Sequence, residues 1–441
     1  RKVVGPVVDS APFPPRFGMG GKSTHTVSKC APGSVAHQLL LALVLTSAFT
    51  AACAPRADEL PRFQTWDSAG VTIVESAAPA WSEGEGWRAS AEPWLDIGTW
   101  EGEDPYLLGN VMGATVAPDG TIIIGNGLDC TVRYFDRNGT FLRSAGGLGE
   151  GPEEFQRILG LFRMGEEVFI REYPHSSVKV FSAEGEFLRE EFGIQSREYP
   201  FAQAFGAFSD GSLLMLDDAP GQGRVGPFRE NVTVLRVSGE AEADSLTTLP
   251  WADWVRYSSG WTGFQKPEFS LSISIHQDLI FYSWPERFEI VALNGSGEMV
   301  RKIRRSWIPE AVEGEYEDAE RERIQSGYGG IGGPPEFLKT ISEGMVFHDF
   351  HPAHHGIVVD LEGHFWVRRP VPGRTAVSFG SFEAGDEPTD WDVFEPEGVW
   401  LGTVQTRAGL QVLEIGADYI LGLRLDEFDV EYVQLYGLQR G

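Results

Sequence analysis

One group of side chains that could do chemistry is the histidine cluster HDFHPAHH. His348, His351, His354 and His355 offer ring nitrogens, and Asp349 adds a carboxylate. Imidazole and carboxylate are common zinc ligands, but this segment has neither the i, i+4 spacing of a helical site nor a zinc-finger pattern. The cluster therefore predicts no metal site and no cofactor. A functional zinc site is the alternative.

A second group combines arginine with aromatic side chains in two loops. The segment REYPH contains Arg171, Tyr173 and His175, and RRPVPGR begins with Arg368 and Arg369. Guanidinium and aromatic groups recognise anionic and sugar-like ligands well. These five residues are the candidate ligand-binding residues. Ordinary surface charge on loops is the favoured interpretation, because loop arginines are common in soluble proteins.

A third candidate is the glycine-rich loop GGLGEGPEEF at 146–155. Its G-x-G-x-G spacing fits neither the dinucleotide fingerprint nor the P-loop, and no lysine or helix start follows the glycines. Its three glutamates would repel a phosphate. The loop is therefore better explained as a connection between two structural units.

The sequence predicts no catalytic residue. It has no G-x-S-x-G nucleophile elbow, and Cys130, the one cysteine beyond residue 53, has no base that would activate it. A structural role for Cys130 in a strand is the better interpretation. An enzyme is accordingly the less favoured reading of this chain.

The N-terminal part has the features of a signal peptide. The apolar run at 39–52 is too short to span a bilayer and follows Lys22 and Lys29. Small residues precede Cys53 in TAAC, which resembles the lipobox of bacterial lipoproteins. We therefore predict Cys53 as the lipidation site. Ordinary secretory cleavage near Ala52, with an incidental cysteine, is the alternative.

These features divide the chain into segments. We expect a leader at 1–52, with the signal peptide at about 19–52, because Met19 opens a segment of ordinary signal length. Residues 1–18 are then expected to lie outside the native coding sequence. A linker at 53–68 follows the cysteine, and a folded domain occupies 69–441. We expect a protein of the bacterial envelope, at the outer membrane or facing the periplasm.

Composition bounds the remaining possibilities. The chain has 441 residues, of which 42% are hydrophobic and 23% charged, as in a globular protein. Its formal charge of -28 argues against nucleic acid as a partner and against docking of the folded surface on anionic lipid. We expect a monomer that meets the membrane through its lipid anchor alone.

Internal repeats give the fold. The segment GATVAPDGTIIIGNGLDCTVRYFDRNGTFLRSAG predicts four strands separated by turns at Asp119-Gly120 and Asn138-Gly139. Similar copies follow, with first turns near 120, 165, 211, 277, 363 and 417. The early spacing of about 45 residues is that of a four-stranded propeller blade. We therefore predict an all-β fold: a six-bladed β-propeller of four-stranded antiparallel blades.

Three details complete this prediction. Small residues precede the first turns, as expected where inner strands converge on an axis; they are Gly113, Ala114, Gly160, Gly206, Ala207 and Gly356. An insertion at about 309–340, between blades four and five, reads as a charged surface helix starting at Pro309. Residues 69–75 have strand composition and are predicted to complete the last blade.

The pattern around VRYFDRNGTFLRSAGGLGEGPEEF resembles an NHL-type repeat, most specifically over residues 106–192. With the lipobox-like leader, the chain is similar to six-bladed propeller lipoproteins of bacteria whose function is uncharacterised. The resemblance implies that ligands bind over the central axis, where the inter-blade connections and the second-to-third-strand loops gather.

Three functions follow from this resemblance. The first is a lipid-anchored binding or scaffold protein that presents its loops to a protein or a glycan. The second is a metal-dependent propeller hydrolase or lyase acting at the axis. Such enzymes place acidic or histidine ligands on inner strands, where Glu414 is the one obvious acid. The third is a purely structural envelope component.

Overall fold

The computed structural model describes residues 61–82, 84–173, 177–191, 198–218, 224–238, 242–327, 333–370 and 387–441. The predicted leader, the lipidation site Cys53 and the candidate ligand residue His175 lie outside these ranges. Within the described part of the chain, neither helix combines the length and apolar composition that crossing a bilayer requires. Residues from Pro61 to Gly441 form one compact unit.

The fold is all-β and propeller-like, as predicted. Four short strands come first, at Phe63–Ser68 (β1), Val71–Ser76 (β2), Arg88–Ala89 (β3) and Leu95–Ile97 (β4). Sheet 1 contains Val111–Val116 (β5), Ile122–Asn126 (β6), Thr131–Phe135 (β7) and Phe141–Gly146 (β8). Sheet 2 contains Ile158–Met164 (β9), Glu167–Glu172 (β10), Val178–Ser182 (β11) and Phe187–Glu191 (β12). Sheet 3 contains Gln203–Ala207 (β13), Leu213–Asp217 (β14), Gly226–Ser238 (β15), Glu242–Arg256 (β16) and Thr262–Phe264 (β17).

Three more sheets follow in the same pattern. Sheet 4 contains Ser272–His276 (β18), Leu279–Ser283 (β19), Glu289–Leu293 (β20) and Met299–Arg305 (β21), extended by β2 and β1. Helices lie at Gly314–Gln325 (α1) and Pro335–Glu343 (α2), and a short 3-10 helix lies at Asp104–Tyr106. Sheet 5 contains Ile357–Val359 (β22), Phe365–Arg368 (β23), Thr389–Phe394 (β24) and Trp400–Thr406 (β25). Sheet 6 contains Gln411–Ile415 (β26), Tyr419–Leu425 (β27) and Glu431–Gln439 (β28), with β3 and β4.

Each sheet buries both faces against its neighbours. One hydrophobic cluster lies between each pair of successive sheets, and a further cluster joins sheet 6 to sheet 1. In β6, Ile123 packs toward sheet 2, whereas Ile122 and Ile124 pack toward sheet 6. Because alternate side chains face opposite sides of a strand, burial of both faces explains the continuous apolar run in this sequence.

The first strands of the six sheets contact one another in a closed cycle, from β5 through β9, β13, β18, β22 and β26 back to β5. Small residues make this approach possible. A Cβ atom added at Gly113 would lie 3.2 Å from Cγ of Leu161, and one added at Gly206 would clash with Ile275 on the next sheet. The predicted crowding of small residues on these strands is confirmed at both glycines.

The loop at 146–155 connects β8 to β9, as predicted. Phe155 is fully buried, and its N–H donates to the carbonyl oxygen of Gly147 at 2.8 Å. Lys179 of sheet 2 donates from Nζ to the carbonyl oxygens of Gly151, at 3.2 Å, and Glu154. The loop thus turns carbonyl oxygens toward a lysine, which is the opposite of a phosphate-binding arrangement.

The prediction that residues 69–75 complete the last blade was wrong. Residues of β2 pair in parallel with β21 of sheet 4, and sheet 6 is completed by β4, in which Leu95 pairs with Leu435. The closing strand has only three residues, too few for a periodic pattern, whereas VTIVES has a strong strand signal. The fold also includes β1, which lies within the segment predicted as linker. All six residues of β1 are exposed, so its sequence lacks the alternation of buried and exposed side chains that predicts a strand.

Polar contacts strengthen the junction between sheets 6 and 1. The Glu414 carboxylate of β26 accepts hydrogen bonds from the N–H of Val116 at 3.0 Å, from the Tyr419 hydroxyl at 2.5 Å and from the Thr115 hydroxyl. The one obvious inner-strand acid is therefore a cross-sheet acceptor in this structure.

A second polar cluster ties sheet 5 to the two ends of the folded unit. The Arg440 guanidinium donates to the buried carboxylate of Asp360 at 2.8 Å and lies 4.3 Å from the ring centre of Trp87. Asp360 also accepts from the Trp366 indole at 3.2 Å. Arg440, which follows the last strand of sheet 6, thereby links the segment around Trp87 to the carboxylate of Asp360.

The helices between sheets 4 and 5 differ in detail from the prediction. Helix α1 begins at Gly314, and not at Pro309, because Ala311 forms a β-bridge with Phe350. Within α1, Glu317 and Arg321 lie one turn apart and form an ion pair at 2.9 Å. The helices are also less exposed than predicted, since Ile324 and Ile341 pack on Val255 and Tyr257 beside sheet 3.

We expect Glu414→Ala to lower the free energy of unfolding by about 2–4 kcal/mol. The change leaves one backbone N–H and two hydroxyls at the junction without their acceptor. A buried unsatisfied group costs about 1–3 kcal/mol, which applies in full to Thr115, whereas water can partly replace the acceptor at the half-buried Val116 and Tyr419. Chemical denaturation followed by circular dichroism measures the loss. Glu397→Ala, at an exposed position, is the matched control. An unchanged midpoint for Glu414→Ala would mean that the junction does not depend on this carboxylate.

Candidate functional site

A cavity of about 320 Å³ lies inside the ring of first strands. We call it the axial cavity. Four first strands contribute to its wall through Phe205 on β13, Ile273 on β18, Ile357 on β22 and Val412 on β26. The remaining lining residues are Trp251, Ser270, Leu271, Ser272, His355, Gly356, Val358, Arg368 and Trp391.

The cavity lies toward the end of the ring at which the resemblance places ligands. Ser270 and Leu271 immediately precede the first strand of sheet 4, and His355 precedes that of sheet 5. Arg368 is the last residue of β23, where the second-to-third-strand loop of sheet 5 begins. The inter-sheet connections and this loop therefore meet at the cavity wall.

Aromatic side chains form a large part of the wall. Phe205 and Trp251 pack edge to face, with ring centres 6.4 Å apart. The Trp391 indole N–H donates to the Thr406 hydroxyl at 3.0 Å, which fixes the orientation of its ring. Rigid aromatic walls of this kind pack against apolar or C–H-rich surfaces of a ligand.

The polar part of the wall is organised by backbone pairing. The N–H of His355 donates to the carbonyl oxygen of Arg368 at 2.9 Å, and the N–H of Arg368 donates to that of Gly356 at 3.0 Å. Burial, together with the charge of Arg368, lowers the pKa of His355 to about 3. His355 is therefore neutral at physiological pH and offers a hydrogen-bonding group beside a fixed positive charge.

The structure brings two of the predicted ligand residues to this region. Arg368 lines the cavity. Arg171, on β10, lies with its guanidinium carbon 5.0 Å from the ring centre of Phe205, which itself lines the cavity. Tyr173 is 58% exposed and is not among the lining residues.

Arg369 turns away from the cavity and joins a buried ion cluster. Its guanidinium donates to the carboxylate of Asp392 at 2.7 Å and to the Thr403 hydroxyl at 2.9 Å. Arg305 approaches the other oxygen of Asp392 at 3.0 Å. This cluster links sheets 4 and 5, which gives Arg369 a structural role separate from its neighbour Arg368.

The four histidines of HDFHPAHH have different surroundings. His348 stacks on Phe269 at 4.0 Å, and His351 packs edge-on against Tyr316 at 4.9 Å. Nε2 of His354 lies 2.5 Å from the Ser283 hydroxyl. His355 alone lines the axial cavity. Across the described ranges, no group of three or more histidine, cysteine, aspartate or glutamate side chains is arranged to hold a metal ion.

Sequence reasoning missed most of the cavity wall. Trp251 lies on β16, which is far longer than a usual blade strand, and Trp391 lies on a third strand. Ser270 and Ser272 flank the start of β18 without any motif around them. The alternation of side chains along β13 and β26 could have indicated that Phe205 and Val412 face the cavity. The two tryptophans line the cavity only because of the tertiary fold.

Comparisons with known proteins identify the fold. No family model matches the sequence, and no curated protein matches it. A solved member of the DUF4221 family from Bacteroides vulgatus has a TM-score of 0.50 at 9% identity, over 81% of this chain and 99% of that one. At this identity the likeness shows a shared fold alone.

Two further solved structures have lower scores. A Bacteroides fragilis protein described as a candidate exported protein has a TM-score of 0.48 at 13% identity, over 84% of this chain and 99% of that one. A gluconolactonase from Xanthomonas campestris has a TM-score of 0.38 at 12% identity, over 80% of this chain and 90% of that one. With scores below 0.5, neither carries an argument about function.

We expect His354→Gln to weaken the acid sensitivity of the fold. Burial lowers the pKa of His354 to about 4, against about 6.5 in an unfolded chain. Between these values the unfolded chain binds a proton that the folded protein does not, so stability falls as pH falls, by about 1.4 kcal/mol per pH unit. Glutamine does not titrate and removes this contribution.

Denaturant midpoints from pH 8 to pH 4.5 provide the measurement. Above pH 7 the difference in denaturant midpoint between His354→Gln and wild type should be constant. Below about pH 6.5 the midpoint of wild type should fall more steeply with falling pH than that of the variant. Parallel curves across the whole range would mean that His354 does not contribute to the acid sensitivity.

Proposed function

We propose that this chain is an exported, lipid-anchored binding protein of the bacterial envelope, built on a six-bladed β-propeller, and that its axial cavity receives the end of a glycan. The observation that carries the proposal is the wall of the axial cavity. It combines aromatic rings, serine hydroxyls and one arginine inside the ring of first strands.

Several features support the propeller and its place in the envelope. Six sheets whose first strands contact one another in a cycle are the arrangement expected of a six-bladed propeller, with α1 and α2 as an insertion between blades four and five. The loop that joins β8 to β9 has the composition of an NHL-type connection. The apolar run at 39–52 and the small residues before Cys53 support export and lipidation.

The chemistry of the wall favours a glycan. Sugars present C–H faces that pack on aromatic rings and hydroxyls that pair with serine, histidine and arginine side chains. The volume of about 320 Å³ is at the lower end of small-molecule sites, which run from about 300 to 1,000 Å³. It suits one terminal sugar ring better than an internal stretch of a long chain.

A protein ligand is the other class considered for this fold. It would contact the rim of loops and not the interior of the ring. The described rim has exposed apolar residues such as Tyr173 and Phe428, but they are dispersed over different sheets. The open cavity, with its mixture of aromatic, hydroxyl and arginine side chains, therefore supports the glycan more directly.

We expect Ser272→Phe to abolish glycan binding without unfolding the protein. The added ring would occupy space inside a cavity of about 320 Å³, next to Gly356, which immediately precedes β22. A glycan array with wild-type protein identifies the bound sugars, and titration calorimetry compares the variant. Ser258→Phe, the same change at an exposed turn, is the matched control.

A binding protein that uses the axial cavity loses its glycan in Ser272→Phe and keeps it in Ser258→Phe, at equal melting temperatures. Binding that survives in both variants would place the ligand elsewhere. Failure of the wild-type protein to bind any glycan, together with specific capture of a protein, would overturn the proposed ligand class.

We expect Cys53→Ser to release the protein from the membrane. In a lipoprotein the cysteine sulfur carries a diacylglyceryl group through a thioether bond, which serine cannot form, so the variant lacks the proposed anchor. Expression with radiolabelled palmitate in a bacterium, followed by fractionation, should show label and membrane association for wild type and neither for the variant. Cys130→Ser, at a buried position, is the control and should retain the label. Unlabelled wild type would contradict lipidation.

A further inference from the structure

The most exposed large apolar side chains among the described residues lie at one end of the ring. We call it the connection end, because the connections between sheets and the second-to-third-strand loops meet there. Five such side chains, the tip residues, are each at least 72% exposed: Trp100 between β4 and β5, Leu128 between β6 and β7, Leu148 between β8 and β9, Ile308 after β21, and Phe428 between β27 and β28. One exposed apolar residue needs no explanation, but five confined to one end indicate a surface that covers them.

The opposite end of the ring has a different composition. It contains the turns between first and second strands and between third and fourth strands, and exposed polar residues such as Asp119, Arg137, Asp210 and Glu397 lie in these turns. The most exposed large apolar residue described there is Leu361, at 48%. The two ends of the ring are therefore suited to different surroundings.

The chain enters the folded unit at the connection end. Strand β2 runs parallel to β21, and the N–H of Ser306, just after β21, donates to the carbonyl oxygen of Ser76 at 3.1 Å. Strand β1 is antiparallel to β2, with Phe63 opposite Ser76. Pro61, the first described residue, therefore lies near the segment that contains Ile308.

This entry point places the tip residues near the proposed lipid anchor. Cys53 precedes Pro61 by eight residues. Eight residues span at most about 29 Å, so acyl groups on Cys53 would keep the connection end within that distance of a bilayer. The tip residues also project singly from separate loops, whereas the core of a protein interface is a contiguous apolar patch. Separate apolar tips with a tryptophan among them are suited to the membrane interface.

We infer that the connection end docks on the membrane that holds the lipid anchor, with the five tip residues inserted into the headgroup layer. Docking adds a second contact to the anchor, which is the one membrane contact expected from the sequence. The axial cavity lies toward the same end, so docking places it beside the headgroups, and its glycan is then one carried by a membrane lipid. The choice of a bilayer rests on the proposed lipid anchor, and the choice of a lipid-linked glycan rests on the proposed glycan binding.

Flotation with phosphatidylcholine vesicles tests the docking. The protein used is residues 54–441, which lack the predicted anchor and contain the whole compact unit Pro61–Gly441. We expect it to bind, and we expect Trp100→Ser combined with Phe428→Ser to lower the affinity about tenfold or more, because apolar burial in the bilayer is lost. Trp94→Ser combined with Leu361→Ser is the matched control, since both residues are exposed and lie outside the connection end. Equal melting temperatures show that all variants fold.

The dependence on lipid and salt identifies the kind of contact. Replacing part of the phosphatidylcholine by phosphatidylglycerol should weaken binding, because the chain has a formal charge of -28 and acidic residues such as Glu101 and Glu427 adjoin the tips. Raising the salt concentration should leave binding to phosphatidylcholine unchanged, since salt does not screen apolar contacts. Tighter binding to phosphatidylglycerol that is lost in salt would contradict docking through apolar tips.

The outcomes separate docking from the proposed function. If residues 54–441 stay free of phosphatidylcholine vesicles, or if the Trp100→Ser and Phe428→Ser combination floats as well as the parent chain, docking is overturned, while lipidation and glycan binding are unaffected. Vesicles whose lipid carries a sugar recognised on the glycan array should bind more tightly than plain vesicles, and Ser272→Phe should remove only that increase. Without the increase, the lipid-linked glycan is overturned and docking stands.

Discussion

Every sheet of this protein buries both faces, and that constraint requires the ring of sheets to close. If the junction between sheets 6 and 1 opened, Ile122, Ile124 and Phe135 on one side would meet water, as would Leu421 and Leu423 on the other. Apolar surface exposed in this way costs about 25 cal/mol per Å². The polar contacts of the structure are concentrated accordingly: Glu414 spans this junction, and Asp360 holds Arg440 close to Trp87.

The same closure creates the candidate site. First strands can converge only where their side chains are small, as at Gly113 and Gly206. Toward one end of the ring they carry larger residues, and side chains from outer strands, Trp251 and Trp391, complete the wall. A rigid fold thus fixes aromatic and cationic groups that lie far apart in the sequence, which reduces the entropy lost when a ligand binds.

The sequence predicts local features of this fold better than pairings between distant segments. Turns at Asp119-Gly120 and Asn138-Gly139 and the run Ile122–Ile124 define sheet 1, because glycine turns and buried alternation leave a local pattern. The closing strand Leu95–Ile97 leaves none, since three residues owe their pairing entirely to β28.

The residues of the candidate site also differ in how well the sequence predicts them. Arg368 could be proposed from its position in a loop after a predicted strand. Nothing local distinguishes it from Arg369, which differs only in facing the buried carboxylate of Asp392. The contribution of Trp251 depends on the length of β16, and this length is set by the pairing with β15, which extends well beyond a usual blade. Residues of this kind can be assigned to the site only from the tertiary structure.

The pairing of β4 with β28 also sets an order of events during synthesis. Asp96 accepts a hydrogen bond from Gln434, more than 300 residues later in the chain. A ribosome must therefore synthesise almost the entire polypeptide before β4 can pair with β28. Until then the nascent chain has two unfinished edges and a high contact order, both of which slow folding and favour recruitment of chaperones. The proposed export requires the chain to cross a secretion channel unfolded. The late pairing of β4 with β28 is compatible with folding after that passage.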